Sequence, residues 1–169
     1  MIVTTPPNVE PISVAEAKVW LKVDWDGEDD LIEALISAAR EKCEQYTNRA
    51  FISQVITESF GVGESIVLSR GEVISIDSVT VGATALTVDD YETDDALSGF
   101  AVTLISAADD RTVVVYTAGY GTDACDVPRS IVAAIHLMVA DLYDNRGDKV
   151  RRLPTSSENL LNTVRRWVT

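Results

Sequence analysis

The spacing of apolar residues changes twice along this chain, and that change limits the fold more than any motif does. From about 30 to 47, Leu31, Leu35, Ala38, Ala39, Lys42 or Cys43, and Tyr46 recur at helical spacing, while Glu33, Arg40, Glu41 and Glu44 take the other faces. From 51 to 118 the period drops to two. "SQVITESF", "ESIVLS", "VISIDSVTV", "FAVTLIS" and "RTVVVYTA" are short, β-branched and often alternating. Turn residues ("GVG", "SRG", "GA", "LSG", "ADD") separate them. Helical spacing then returns from about 127 to 145, where Ile131, Ala134, Ile135, Met138, Val139 and Leu142 fill one broad face. A helix-period pattern cannot settle as a strand, nor the reverse. Helices and strands are thus segregated along the chain, which predicts an α+β fold.

Boundary signals sharpen this expectation. Pro6, Pro7 and Pro11 keep the start extended. "SVAE" at 13–16 is a capping box that opens a helix with Val14, Ala17, Val19, Trp20 and Leu21 as its apolar side. An acidic turn, Asp24-Trp25-Asp26-Gly27-Glu28-Asp29-Asp30, leads into the second helix, with Asp29 and Asp30 placed to cap it. Asp126 and Pro128 mark the start of the third. Thr155 and Glu158 suggest a capping box for a short last helix carrying Leu160, Leu161, Val164, Trp167 and Val168. The expected architecture is a small antiparallel helix bundle, two N-terminal helices plus one near 127–145, with an inserted antiparallel β-sheet region and a short C-terminal helix. One domain over 1–169 is expected: a helical part at 12–50 and 127–147, a β-rich insertion at 51–118 and a basic C-terminal arm at 148–169.

The formal net charge is −13, and it is unevenly spread. Up to Asn145 there are 8 Lys and Arg against 25 Asp and Glu, a balance of −17; from Arg146 onward there are 6 against 2, a balance of +4. Affinity for duplex DNA comes largely from neutralising phosphates, so the acidic body argues against free DNA binding. The basic arm suits an acidic protein surface, such as that of a neighbouring copy. No apolar run approaches the ~20 residues that span a bilayer. "MIVTTPPNVEPIS" lacks the basic start and apolar core of a signal peptide, so a cytoplasmic location is expected. Cys43 and Cys125 form no CxxC and are expected to be reduced packing residues.

The segment "YTAGYGTDACDVPRSIVAAIHLMVADLYDNRGD", 116–148, holds the features that look most like chemistry. Gly119-Tyr120-Gly121-Thr122-Asp123-Ala124 fits the letters of a dinucleotide fingerprint, but its helix starts too late and no parallel strand follows. The two glycines are better explained as a strand-to-helix reversal at positive φ. Arg146-Gly147-Asp148 is read as a glycine stop after a helix. His136 lies eleven residues from Cys125 with no acidic orienter at a catalytic spacing. The acidic turn fails as an EF-hand because Asp29 and Leu35 stand where Gly and Glu are needed. No catalytic residue, metal ligand or cofactor site is expected.

In order along the chain come "ISVAEAKVWLKVD…DDLIEALISAARE", then Tyr46-Thr47-Asn48-Arg49 closing the second helix, then the run from Tyr116 through Pro128 and Tyr143 to Arg146. This order over about 10–150 resembles the head–tail connector (adaptor) proteins of tailed bacteriophages and prophages. The long β insertion departs from the smaller, mostly helical members, and the last 20 residues match nothing in the family. The resemblance implies a structural virion protein, not an enzyme. It would sit in the virion neck after assembly in the host cytoplasm, as a ring of copies of itself, twelvefold in the particle, under the portal protein. The ring would extend the DNA channel without specific DNA binding and offer a platform to a downstream neck or tail protein; no membrane and no cofactor are involved. Arg146, Arg151, Arg152, Arg165, Arg166 and Trp167 are the candidate contacts to the portal or a neighbouring subunit, because Arg and Trp anchor interfaces most often. The alternatives are another neck or tail-completion protein and, on a different footing, a small ligand-binding module or enzyme, which would need a pocket with converging polar groups.

Overall fold

The structure is a computed structural model that describes residues 1–63, 65–96, 99–106, 109–145 and 153–167. Element order is β1 (Ile2–Thr5), α1 (Val14–Leu21), α2 (Asp29–Thr47), β2 (Gln54–Phe60), β3 (Ser65–Val67), β4 (Val73–Val81), β5 (Thr84–Ala85), β6 (Tyr91–Ala96), β7 (Gly99–Leu104), β8 (Thr112–Ala118), α3 (Arg129–Asp144) and α4 (Thr155–Asn162). The fold is α+β, with β2 to β8 set between α2 and α3 as expected; the extended start also supplies β1, which pairs with β2 at the edge of the larger sheet. Two compact units emerge. One comprises Met1–Pro7, Asn48–Tyr120 and Arg166–Thr169; the other comprises Asn8–Thr47 and Gly121–Arg165.

The β unit contains a five-stranded sheet of order β1-β2-β8-β4-β5 and a three-stranded sheet of order β3-β7-β6, with every named pairing antiparallel. β8 is central. Its seven residues alternate strictly between buried and half-buried, so Thr112, Val114, Tyr116 and Ala118 point into the core. Ile56, Val79, Val114 and Tyr116 from the larger sheet share one apolar cluster with Ile66, Val102 and Leu104 from the smaller. The "YETDDA" of β6 gives no apolar alternation because it is an edge strand, where charge blunts pairing with other chains.

In the helical unit, Ile12, Ala17, Ile32, Ile36, Ala39, Cys43, Val127, Ile131, Ala134, Ile135, Met138, Val139 and Leu161 are all buried. The α3 face is the expected one. The α2 stripe is turned by about one position: Ile32, Ile36, Ala39, Arg40, Cys43, Glu44 and Thr47 are buried, while Leu31 is exposed. Adjacent helical positions differ by roughly 100°, and both Leu31/Leu35 and Ile32/Ile36 offer an apolar edge, so spacing alone could not separate them. α1 also departs from expectation, because Ala17 is its only buried residue.

Three termini repay attention. The Ser13 box forms as expected: Ser13 Oγ accepts from the Glu16 backbone N–H at 3.2 Å, and the Ser13 N–H donates to Glu16 Oε2 at 2.8 Å. The Thr155/Glu158 box does not form; Pro154 occupies the cap position and Thr155 is already helical. Asp126 does not cap α3 either. Its carboxylate accepts from the Asp123 N–H at 3.1 Å and closes a short 3₁₀ turn at Ala124–Asp126, and α3 begins three residues later.

Candidate assembly surface

The acidic turn that opens α2 is built around Lys18. Its ammonium donates to Asp26 Oδ1 at 2.6 Å and Asp29 Oδ1 at 2.7 Å, tying α1 to the turn. The Tyr143 hydroxyl, from α3, donates to Glu28 in the same turn. The expected capping role of Asp29 and Asp30 holds in that both lie in the first turn of α2, where a negative charge meets free backbone N–H groups. Trp25, in the middle of the turn, is 59% exposed.

α2 also carries a buried polar group that its spacing conceals. Arg40 Nε donates to Glu10 Oε2 at 2.8 Å, Arg40 Nη1 to Glu44 Oε2 at 3.0 Å, and Ser37 Oγ to Glu10 Oε1 at 2.7 Å. Burial works against the Arg40 charge, but Glu10 and Glu44 more than offset it and leave its pKa raised. Arg40 and Glu44 stand four apart on one helix face, the one sequence signal that could have marked the pair.

The β unit has a second such group. The Tyr116 hydroxyl donates to Glu58 Oε1 at 2.7 Å, and Glu58 Oε2 accepts from the Ser69 hydroxyl at 2.8 Å and the Ser69 N–H at 3.2 Å. Burial, aided by the Glu58 charge, pushes the Tyr116 phenol far above its ordinary pKa, so it stays a donor. Arg49, the last residue of the Tyr-Thr-Asn-Arg signature, pairs with Glu72, and Asn48 before it takes the left-handed conformation at φ 54°.

The candidate contact residues are divided. Arg146, Arg151 and Arg152 lie outside the described residues. Arg165 belongs to the helical unit, with its guanidinium 4.3 Å from the centre of the Tyr46 ring, whose hydroxyl donates to Asn162 Oδ1 at 2.8 Å. Arg166 belongs to the β unit and is buried there, its backbone oxygen accepting from Asn48 Nδ2 at 3.0 Å. Burial lowers the Arg166 pKa, with the nearby Arg49 charge pulling the same way against Tyr116, Asp95 and Glu58. Trp167 is 67% exposed. Of the three described candidates, Arg165 thus belongs to the helical unit and Arg166 and Trp167 to the β unit. α4 is part of the helical unit's packing: Leu161 is buried, and the buried Ser157 hydroxyl donates to the Ala134 carbonyl at 3.1 Å.

Gly119 has φ +149°, and a Cβ there would lie 2.5 Å from the Ser53 backbone nitrogen, so close chain approach demands glycine. Gly121 has no such backbone requirement; its Cβ would meet the Asp126 carboxylate, and the expectation of positive φ applies to Gly119 alone. His136 stacks on Trp20, ring centres 5.0 Å apart, and burial lowers its pKa against the opposing pull of Glu16. Cys43 is buried and pushed up to about 12, an unreactive thiol; Cys125 is exposed, which corrects the expectation that it packs. Among the described residues no group of three His, Cys, Asp or Glu is placed to hold a metal ion, and no helix is long and apolar enough to cross a membrane.

Comparison with known proteins bears on this arrangement. The Head completion protein family matches residues 10–149. Three solved structures contain a chain of this fold, each 19% identical, covering 98% of this chain and 95% of the other. They are the neck of an empty GTA particle computed with C6 symmetry (TM-score 0.78), the virion of a native gene transfer agent (GTA) particle (0.79) and the neck of a native GTA particle computed with C12 symmetry (0.72). No curated protein matches. A match over residues 10–149, on the same stretch that carries the connector-like residues, shows that the chain belongs to the Head completion protein family, whose members are structural proteins of the virion and not enzymes.

Proposed function

We propose that the protein is a head–tail connector: copies of it form a ring in the virion neck beneath the portal, extend the DNA channel and present a platform to the next neck or tail protein. The observation that carries this reading is the family match over 10–149, joined to a fold shared along 98% of the chain with proteins of particle necks computed with C6 and C12 symmetry. Twelve copies is the expected number in the particle, with assembly in the host cytoplasm. The whole chain acts as one connector domain in which 51–118 is a β-rich insertion and 148–169 an arm. Arg146, Arg151, Arg152, Arg165, Arg166 and Trp167 are the proposed contacts to the portal or a neighbour; of these Arg165 also lies on the Tyr46 ring, the Arg166 backbone oxygen accepts from Asn48, and Trp167 is exposed.

A body with a balance of −17 up to Asn145 would face the genome with like charge, so phosphates find few places to bind and the DNA can slide. A channel wall lined mainly by Lys and Arg would contradict this. Deleting the coding sequence tests the main reading. DNA-filled heads without tails should accumulate, and a subunit supplied in trans should restore tailed particles. Ordinary tailed particles from the deletion would overturn it. Averaged images of the neck would then show whether the ring lies next to the portal or further down, the position of a tail-completion protein.

A further inference from the structure

We propose that the outer face of the five-stranded sheet is where the chain meets a second copy of itself. The proposal rests on the connector reading for the presence of adjacent copies. A solvated face of an antiparallel sheet sets polar residues between the buried apolar ones. The central strand, β8, reads TVVVYTA instead and is apolar towards both sides, as in a strand that is covered on both. The smaller sheet covers one side, where Val114 and Tyr116 share a cluster with Val102 and Leu104. On the other side Val113, Val115 and Thr117 stay half-buried. The register sets Val55 and Thr57 of β2 beside Thr117 and Val115, and Ser78 of β4 beside Val115. β1 extends this surface with Ile2, which pairs with Thr57 and is 70% exposed.

Charge selects the occupant. The chain is 24% charged, yet the outward positions of β1, β2, β8 and β4 hold a single charged side chain, Asp77. Its carboxylate is already engaged, accepting from the Ser75 hydroxyl at 2.8 Å and the Thr117 hydroxyl at 2.9 Å. Glu58 of β2 is turned into the core, where it meets Tyr116. Copies whose bodies stand at −17 repel one another, so contact costs least where the approaching surface carries almost no charge. Duplex DNA is a poor occupant, because the four strands contain no Lys, Arg or His to neutralise a phosphate. A basic partner would find only Asp77. Four strands about 4.8 Å apart and about 23 Å long present roughly 450 Å². A standard interface takes about 800 Å² from each partner, so one such contact is weak alone and gains from ring closure.

The test is sedimentation equilibrium of the purified full chain at about 0.05 M and about 0.5 M salt. Self-association is expected, and it should be at least about threefold tighter at the higher salt. Salt screens the repulsion between acidic bodies and takes little from an uncharged contact. Val115→Glu, and Ser78→Glu at its exposed neighbour, each checked for native circular dichroism, should associate at least about tenfold more weakly. Val88→Glu, at a position 77% exposed and outside the four strands, should stay within about twofold of the wild type. A monomer at both salts, association that weakens with salt, or wild-type association by either sheet variant overturns the proposal. In particles, a benzophenone residue in place of Thr57 should link two copies on illumination; no link, or a link to another neck protein or to DNA, overturns the contact and leaves the connector reading intact. A chain missing from particles would remove the connector reading and leave the sedimentation result standing.

Discussion

Single side chains in this protein matter most where charge is buried. Glu58 is 2% exposed and depends on Tyr116 and Ser69 for its hydrogen bonds. Tyr116→Phe removes one donor while keeping the ring, and should cost about 1–3 kcal/mol in denaturant unfolding. Arg40→Met strips Glu10 and Glu44 of their shared cation, and a loss of roughly 3–5 kcal/mol is expected because the remaining carboxylates stay where they are. Acid reaches two groups in separate windows. The His136 pKa is lowered by burial, so the unfolded chain takes up its proton first; the stability it confers is complete above about 6.5 and declines as pH falls below it. Glu16 is lowered mainly by the Ser13 N–H, so its contribution is complete above about 4.5 and is lost on further acidification. Thermal melts from pH 7.5 to 5 should therefore fall less steeply in His136→Phe than in the wild type. An unchanged slope would show that the imidazole is not the group responsible.

At the scale of elements, the register of α2 is the sharpest point. Ile36→Ala should cost about 2–5 kcal/mol, whereas Leu31→Ala should cost under about 1 kcal/mol, although both belong to the same apolar edge in sequence. Equal effects would mean that the helix is turned differently. The reversal after β8 is equally specific: Gly119→Ala places a methyl against the backbone of Ser53 and should prevent soluble folding, while Gly121→Ala needs only a shift of the Asp126 side chain. Most elements were legible because each carries its own period: α2, α3, β2, β4 and β8 appear close to their expected bounds. β6 was not, since an edge strand obeys the rule of avoiding other edges and fills with acid. The α4 cap failed for a local reason, because Pro154 starts the helix before Thr155 can act as its cap.

For the molecule as a whole, the body's acidity and the arm's basicity set the expected behaviour. The purified chain should give no shift of duplex DNA near 0.15 M salt, because few phosphates would be neutralised on binding. A clear shift would remove the argument for a sliding channel. Removing residues 150–169 is a poor probe of assembly, since Leu161 and Ser157 belong to the helical unit's packing and their loss would weaken folding itself. Trp167→Ala is the better probe, being exposed and outside α4.

Composition and period alone determined the class of the fold, the order of most of its elements and the acidic body with its basic arm, because these depend on local preference and on charge, which every stretch carries with it. The burial of Arg40, Glu58 and Arg166, the exposure of Val19 and Trp20, and the division of the arm's arginines between two units were decided only when distant segments met. A side chain's surroundings are a property of whatever packs against it, and no spacing along one helix can reveal that a neighbouring face has been left uncovered.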